Sequence, residues 1–521
     1  MEKKGANMFS KVKSCAVHGV DGRMIDVEAD VNDGLPVFTM VGYLSSSVRE
    51  SSERVRTALK NSGFHLPPKR ITINLSPADM RKDGSGYDLA IATAVLLSLG
   101  VTAELPMEQT LVLGELSLDG SIKAIPGVLP MVICAREEGM TSCIVPKENV
   151  QEAALVQGIS VIGVSSLKET MEYIQGIKEY ENTNVEQPAV DTSEYLYDID
   201  FSDVVGQESI KRGMEIAAAG FHNVLLTGAA GAGKSMLAKR LPTILPQMSF
   251  EESLEVTKIY SVGGMLPPEG GLIHRRPFRA PHHTISEYAL IGGGRVPTPG
   301  EVSFAHYGVL FLDELPEFSK PVLEVLRQPL EDRRIRISRV QASYEFPADF
   351  MFVASMNPCP CGNYPDYRRC SCTEQQIRRY QSKVSGPLLD RIDIRMEVKG
   401  VKQEVLFSKQ KTESSKTIRA RVEQARQMQK ERFAGTGLLF NSQLDGKNLE
   451  EYITLSEEGK RLVLQLFEEQ ELSVRGVHRV LKLARTIADL AGSEEIEHAH
   501  LQEAAFYRNQ DVFAKEVLYG N

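Results

Sequence analysis

A chain of 521 residues has room for roughly two to four domains, and its 42% hydrophobic and 25% charged residues are ordinary for soluble globular protein. The formal net charge of −9 excludes a uniformly basic nucleic-acid coat, though not local basic loops. The amino terminus lacks an apolar signal core, and the longest apolar run, Leu89 to Val101, is too short to cross a bilayer, so the expected location is cytoplasmic, with no membrane partner. In that reducing compartment the seven cysteines are not expected to form structural disulfides.

Residues 1–178 alternate strand and helix signals. Met24 to Val31 alternates apolar and acidic residues, Ser45 to Ser62 puts Val48, Val55, Ala58 and Leu59 on one helical face, and Arg70 to Leu75 reads as a strand. A hairpin is expected from Leu111 to Ile125, turning at Asp119-Gly120, followed by strands at Cys143 to Pro146 and Ile159 to Val164. Two stretches, Lys82-Asp83-Gly84-Ser85-Gly86-Tyr87-Asp88-Leu89 and Gly114 to Asn149, resemble the proteolytic domain of Lon. The resemblance implies that α+β fold without its chemistry. Lon's serine position falls on Gly86, with Ser85 one residue early, and Leu129-Pro130 stand where Lon has its lysine. A serine without a base is a poor nucleophile. The expectation is a structural or interaction domain, followed by a polar, acidic linker at 179–199.

The strongest motif lies at Asn223 to Ser235. An apolar strand, Val224 to Leu226, runs into Gly228-Ala229-Ala230-Gly231-Ala232-Gly233-Lys234-Ser235, and a helical stretch follows. This satisfies G-x-x-x-x-G-K-[ST] in its required strand–loop–helix context. Backbone N–H groups curl around phosphates, Lys234 reaches the β- and γ-phosphates, and Ser235 offers a hydroxyl to Mg²⁺. ATP and Mg²⁺ are therefore the expected ligands. A second apolar strand, Val309 to Leu312, ends in Asp313-Glu314. Asp313 suits Mg²⁺ held through water, and Glu314 suits the attacking water. A third strand, Asp349 to Met356, ends at Asn357, whose amide can hold that water or the γ-phosphate. Arg391 and Arg475 are candidates for phosphate contacts, one given to a neighbouring subunit and one in cis from the lid.

Between these motifs lie segments that a minimal nucleotide fold does not need. Residues 255–306 form a Gly- and Pro-rich insert whose Arg275, Arg276, Arg279 and Arg295 suit contacts to a phosphate backbone; a solvated or subunit-contact loop is the alternative. His282 and His283 are expected on opposite faces, which argues against a shared metal. A helix at Pro321 to Leu330 leads into Asp332 to Phe346, a hairpin that displays Arg333, Arg334, Arg336 and Arg339 as DNA-contact candidates. Cys359, Cys361, Cys370 and Cys372 form two short pairs; a structural Zn²⁺ site, free thiols and a redox role are the three readings. Residues 415–434 read as a basic helix, and Leu455 to Glu469, Val474 to Ala491 and Glu494 to Phe506 as three more.

Taken together, GAAGAGKS, RPFRAPHHTIS, GVLFLDELPEF, MNPCPCG…CSC, SGPLLDRID and LSVRGVHRVLKLARTIADL resemble the magnesium-chelatase-like AAA+ family, most closely its competence-protein group. The resemblance implies a multidomain α/β chain: a Lon-like domain at 1–178, a P-loop AAA+ core at 200–398 with a helix-2 insert and a pre-sensor-1 hairpin, and an all-α lid at 399–521. It makes Lys234 and Ser235 the Walker A residues, Asp313 and Glu314 the Walker B pair, Asn357 sensor 1, Arg391 the arginine finger and Arg475 sensor 2. Ala229-Ala230 departs from the Pro-Pro common in relatives, without consequence for backbone phosphate contacts. The implied role is a hexameric, ATP-driven motor for branch migration or helicase action on single-stranded or branched DNA during natural transformation. The alternatives are a chelatase motor subunit, which inserts Mg²⁺ into protoporphyrin, and a non-DNA assembly ATPase.

Overall fold

The computed structural model describes residues 9–178, 197–267, 271–339, 342–400, 412–469 and 473–508. The expected linker at 179–199 lies largely outside these residues, as do positions 340 and 341 of the expected hairpin.

The first part of the chain builds a seven-stranded sheet. Its order is Phe38–Val41, Arg70–Ser76, Asp21–Asn32, Phe9–His18, Thr110–Val112, Ser142–Pro146 and Ser160–Val164. In Asp21–Asn32 the residues Ile25, Val27, Ala29 and Val31 are buried, while the acidic residues between them face away. Two helices cover this sheet. Ser46–Asn61 is capped by the Ser45 hydroxyl, which accepts from Val48 N at 3.4 Å, and buries Val48, Val55, Ala58 and Leu59. Asp88–Ser98 is apolar all round and buried all round, as a helix must be when it packs between layers. The expected hairpin at Leu111 to Ile125 is narrower than its pattern: only Glu115–Leu116 and Ile122–Lys123 pair with each other. Thr110–Val112 joins the large sheet instead, parallel to Ser142–Pro146 and Phe9–His18.

The second sheet holds five parallel strands in the order Phe278–Arg279, Val309–Leu312, Met351–Met356, Val224–Thr227 and Ile394–Glu397. The three middle strands are buried throughout, as a sheet covered on both faces requires. Because all five run the same way, every carboxyl end emerges along one edge and every amino end along the other. That separation organises the rest of the molecule.

Helices at Ser415–Arg432, Gly446–Tyr452, Glu457–Glu469, Val474–Leu490 and His498–Arg508 close the chain. Val480, Leu483, Ala484 and Ile487 pack with Ile418, Val422 and Ala425 against Met214 and Ile216 of the helix Glu208–Gly220. The expected helix at Pro321 to Leu330 is two short ones, Lys320–Val325 and Pro329–Asp332. Pro329 has no N–H to continue the first and starts the second. No helix among the described residues is long and apolar enough to cross a membrane.

The two sheets are tied through the helix Phe250–Val262. Gly127 N donates to Ser261 O at 3.0 Å, Lys258 pairs with Asp21 at 3.1 Å, and the Ser261 hydroxyl donates to buried Glu152.

Candidate functional site

Three neighbouring strands of the parallel sheet deliver the site. Thr227 lies opposite Met356, and Leu312 opposite Ala354. Gly228, Asn357 and Asp313 therefore emerge side by side at the carboxyl edge. The loop then turns on Gly231 (φ 78°) and Gly233 (φ 93°), conformations open to glycine at little cost. Gly228 is needed for a different reason: a Cβ there would lie 2.2 Å from the Val398 carbonyl oxygen.

Lys234 is buried at the start of the helix Lys234–Arg240. Its Nζ donates to Gly228 O at 2.6 Å, Ala229 O at 2.9 Å and Asn357 Oδ1 at 2.9 Å. Two of its N–H donors thus point into the loop that would hold phosphate, and the third onto Asn357 beside it. Burial lowers its pKa, and Asp313 and Glu314 work against that shift. Ser235 Oγ donates to Asp313 Oδ2 at 2.7 Å. This hydroxyl–carboxylate pair is an all-oxygen donor set of the kind that suits Mg²⁺. Ser355, which the sequence reading missed, donates to the other carboxylate oxygen of Asp313. Its signal was available: it is a lone hydroxyl in an otherwise apolar strand, two residues before Asn357 and so on the same face. Glu314 stands in the left-handed region (φ 53°, ψ 51°), which turns the chain sharply away from the strand directly after Asp313. Gln207 completes the rim, its Nε2 donating to Ala232 O at 3.3 Å and Lys399 O at 3.2 Å.

Arg391 and Arg475 are not brought to this loop. The Arg391 carbonyl accepts from Asn223 Nδ2 at 2.8 Å, and Asn223 precedes the phosphate-loop strand. Arg391 is thus at the amino edge. Its Nη1 donates to Pro387 O at 2.7 Å and its Nη2 pairs with Glu331 at 2.6 Å. Arg475 reaches the same Glu331 at 3.8 Å. The lid helix Val474–Leu490, which carries Arg475, begins on this far edge of the sheet. Glu331 itself carried no sequence signal, since both its contacts are distant in the chain. Asp393 lies on this edge too, buried and paired with Arg479, with His222 Nδ1 at 3.5 Å and Asn223 N at 3.1 Å.

The arginine hairpin pairs Arg334–Ser338 with Ser343–Pro347. Ile335 and Ile337 are buried, and Arg334 and Arg336 stand on the exposed face, both on Glu345 at 2.8 and 3.1 Å. Arg333 instead turns inward, pairing with Asp349 at 3.6 Å, and Arg339 donates to Gly294 O of the insert at 3.1 Å. The insert arginines differ from expectation. Arg276 is buried, bonded to Pro246 O, Tyr307 O and Glu252, and Arg279 is bidentate to Glu301 at 2.6 and 2.7 Å. Arg276 ties the insert to the chain on either side of it, the Arg279–Glu301 pair braces the insert itself, and Phe278–Arg279 supplies the edge strand. His282 and His283 do not diverge: their rings lie 4.1 Å apart, because this segment is a turn and not a strand.

Ser85, beside a cavity of about 420 Å³ between the seven-stranded sheet and the insert, donates to Glu115. The cysteines do converge: the four Sγ atoms lie within 4.8 Å of one another.

Most of the chain matches known proteins. Residues 200–406 match the family described as magnesium chelatase, subunit ChlI; residues 27–149 match subunit ChlI of Mg-chelatase; and residues 412–508 match the C-terminal part of that subunit. An uncharacterized protein of Mycobacterium tuberculosis is 42% identical over 92% of this chain and 94% of its own length. The competence protein ComM of Haemophilus influenzae is 40% identical over 95% of this chain and 97% of its own. Lon protease 2 of Bacillus subtilis is 30% identical over 31% of this chain and 32% of its own length. With a phosphate loop, an acidic strand end and an asparagine gathered on one sheet edge, and with these matches along most of its length, the chain belongs to the magnesium-chelatase-like AAA+ family, in the group of the competence protein ComM.

Proposed function

We propose that the chain is an ATP-hydrolysing motor that works as a ring of identical subunits, a hexamer, on single-stranded or branched DNA, driving branch migration when incoming DNA is recombined. The observation that carries this reading is the division of one reaction's groups between two edges of one sheet. Lys234, Ser235, Asp313, Glu314 and Asn357 stand at the carboxyl edge, and Arg391 and Arg475 at the amino edge. Phosphoryl transfer needs arginine charge at the γ-phosphate. A subunit with this layout meets that need when its amino edge faces the carboxyl edge of the next. Such a head-to-tail interface closes into a ring when the rotation between neighbours divides the full circle, which six subunits at about 60° each would do.

On nucleotide binding, Lys234 would move its N–H donors from Gly228 O, Ala229 O and Asn357 Oδ1 to phosphate oxygens. Ser235 and Asp313 would hold Mg²⁺, which neutralises charge on the β- and γ-phosphates. Glu314 orients and deprotonates the attacking water, and Asn357 steadies it. Arg334 and Arg336, on the exposed face of the hairpin, exchange Glu345 for DNA phosphates, a contact that weakens with salt. The likeness to the Haemophilus competence protein supports the assignment to recombination of incoming DNA.

The test is ATPase and branch-migration activity of the full chain on single strands, duplex, forks and four-way junctions, with protoporphyrin and Mg²⁺ as the control for a chelatase motor. Stimulation by forks or junctions, with strand movement that requires ATP, is the expected result. ATPase indifferent to every DNA, with no strand movement, overturns the DNA reading.

A further inference from the structure

The four cysteines sit against the nucleotide site. Cys359 is buried and follows Asn357 by two residues. Its Sγ lies 3.4 Å from Cys361 Sγ and 3.8 Å from Cys370 Sγ, and Cys361 and Cys370 are 3.6 Å apart. Four sulfurs at about 2.3 Å from one tetrahedral zinc are about 3.8 Å from each other. The observed separations are those of such a shell, and they are too long for any disulfide, whose sulfurs bond at about 2.0 Å. Tyr364 N points at Cys359 Sγ at 3.4 Å, the outer hydrogen bond that metal thiolates commonly receive.

The turn that carries the first cysteine pair lies beside the phosphate loop. Gly362 takes φ 80°, and its N donates to Cys359 O at 3.0 Å. A Cβ at Gly362 would lie 3.4 Å from Ala230 N, 3.5 Å from Ala230 Cβ and 3.9 Å from Asn357 Cγ. Ala230 belongs to the loop expected to cradle phosphate, and Asn357 holds Lys234. The turn therefore lies within a methyl group's reach of two groups of the nucleotide site. It has no regular secondary structure to hold it, and the bond that Gln381 Nε2 donates to Pro358 O at 3.0 Å is one of the few that tie it to a helix among the described residues.

We propose that Cys359, Cys361, Cys370 and Cys372 bind one Zn²⁺ whose task is to clamp the Asn357–Gly362 turn against the phosphate loop, so that nucleotide affinity depends on the metal. This rests on the ATP reading above. The metal has no share in hydrolysis. Loss of the metal frees Asn357 and Ala230 together, because one turn carries the contacts to both. Four thiols give up their protons on binding and supply the charge that holds the ion.

The experiment uses the full chain, purified with and without added zinc. Metal content is read by mass spectrometry, and Mg²⁺-dependent affinity for a fluorescent ATP analogue by titration. Wild type should carry one zinc per chain. The double variant Cys370→Ser/Cys372→Ser, which leaves the turn's own pair intact, should carry none and bind the analogue at least tenfold more weakly. Its far-UV spectrum should match wild type. Gly362→Val is the second variant: it should keep its zinc and lose affinity, because a β-branched residue does not take φ 80° without moving the turn away from Ala230. Wild type without zinc after supplementation overturns the metal site. A zinc-free double variant with wild-type affinity overturns the clamp. A zinc-loaded wild type that binds no nucleotide refutes the ATP reading instead.

Discussion

Replacing Arg391 by alanine tests whether one subunit completes its neighbour's site. The strand Val224–Thr227 separates Asn223, which holds the Arg391 carbonyl, from Gly228, which opens the phosphate loop. Four residues at about 3.3 Å each put roughly 13 Å between the two edges. The Arg391 side chain is committed to Pro387 O and Glu331, away from that loop. Arg391→Ala should therefore leave the variant's own affinity for ATP unchanged. An arginine at the γ-phosphate is worth about 10³ in kcat, and each decade is about 1.4 kcal/mol, so the loss at the barrier is about 4 kcal/mol. The structural cost is smaller, on the order of 1 kcal/mol, because Glu331 is half exposed and water screens it once the arginine is gone. The decisive assay mixes Arg391→Ala with Glu314→Gln. Each alone is inactive. In mixed rings the first supplies a sound pocket and the second a sound arginine, and with independent interfaces about a quarter of them pair correctly. Activity near that fraction of wild type is the expected result. Wild-type kcat in Arg391→Ala alone, or no recovery in rings shown to be mixed, would refute the reasoning.

Glu314→Gln by itself should bind ATP as wild type does and lower kcat by at least about 10², since the amide cannot take a proton from water; filter binding beside a phosphate-release assay reads both. Gly228→Ala drives a methyl to within 2.2 Å of the Val398 carbonyl, where both sides are backbone, so it should cost about 1–3 kcal/mol and abolish nucleotide binding, seen as a lower Tm that ATP no longer raises. Asp393 offers a pH test. Burial pushes its carboxyl up, but Arg479 and His222 outweigh that and hold it well below the usual carboxylate range. Its contribution is thus fully present above the unfolded value of about 3.9 and is progressively lost as pH falls below it. Asp393→Asn should lower Tm at pH 7, and the gap from wild type should narrow at pH 3; a gap that widens in acid contradicts the assignment.

What the sequence made legible was whatever depends on near neighbours in the chain. The Met24 to Val31 alternation produced a strand with one buried face, and the Ser45 cap and its four apolar partners produced a helix. Val224–Thr227, Val309–Leu312 and Met351–Met356 announced themselves as apolar runs, and their parallel order followed from the burial of both faces. Thr110–Val112 went astray because a three-residue strand next to a turn has the same local pattern whether it pairs with the hairpin or with a distant sheet. The insert arginines went astray for a related reason. Arg276 and Arg279 look like any exposed basic residues until the chain brings up the Pro246, Tyr307 and Glu301 oxygens that bind them.

The same limit explains the hardest part of the candidate site. Motifs mark the arginines, but nothing near Arg391 or Arg475 in sequence says which carboxylate holds them. Glu331 does so from the short helix Pro329–Asp332, and the arginine hairpin starts immediately afterwards, at Arg333 in the left-handed region (φ 53°). Arg333 in turn grips Asp349, at the entrance to the strand that ends in Asn357. A motor must pass strain between its polymer-binding element and its fuel site. Here Glu331 holds both arginines two residues before the hairpin root, and Arg333 at that root holds Asp349 just before the Asn357 strand. In the proposed ring, movement of the hairpin therefore cannot leave the neighbour's ATP site unaffected.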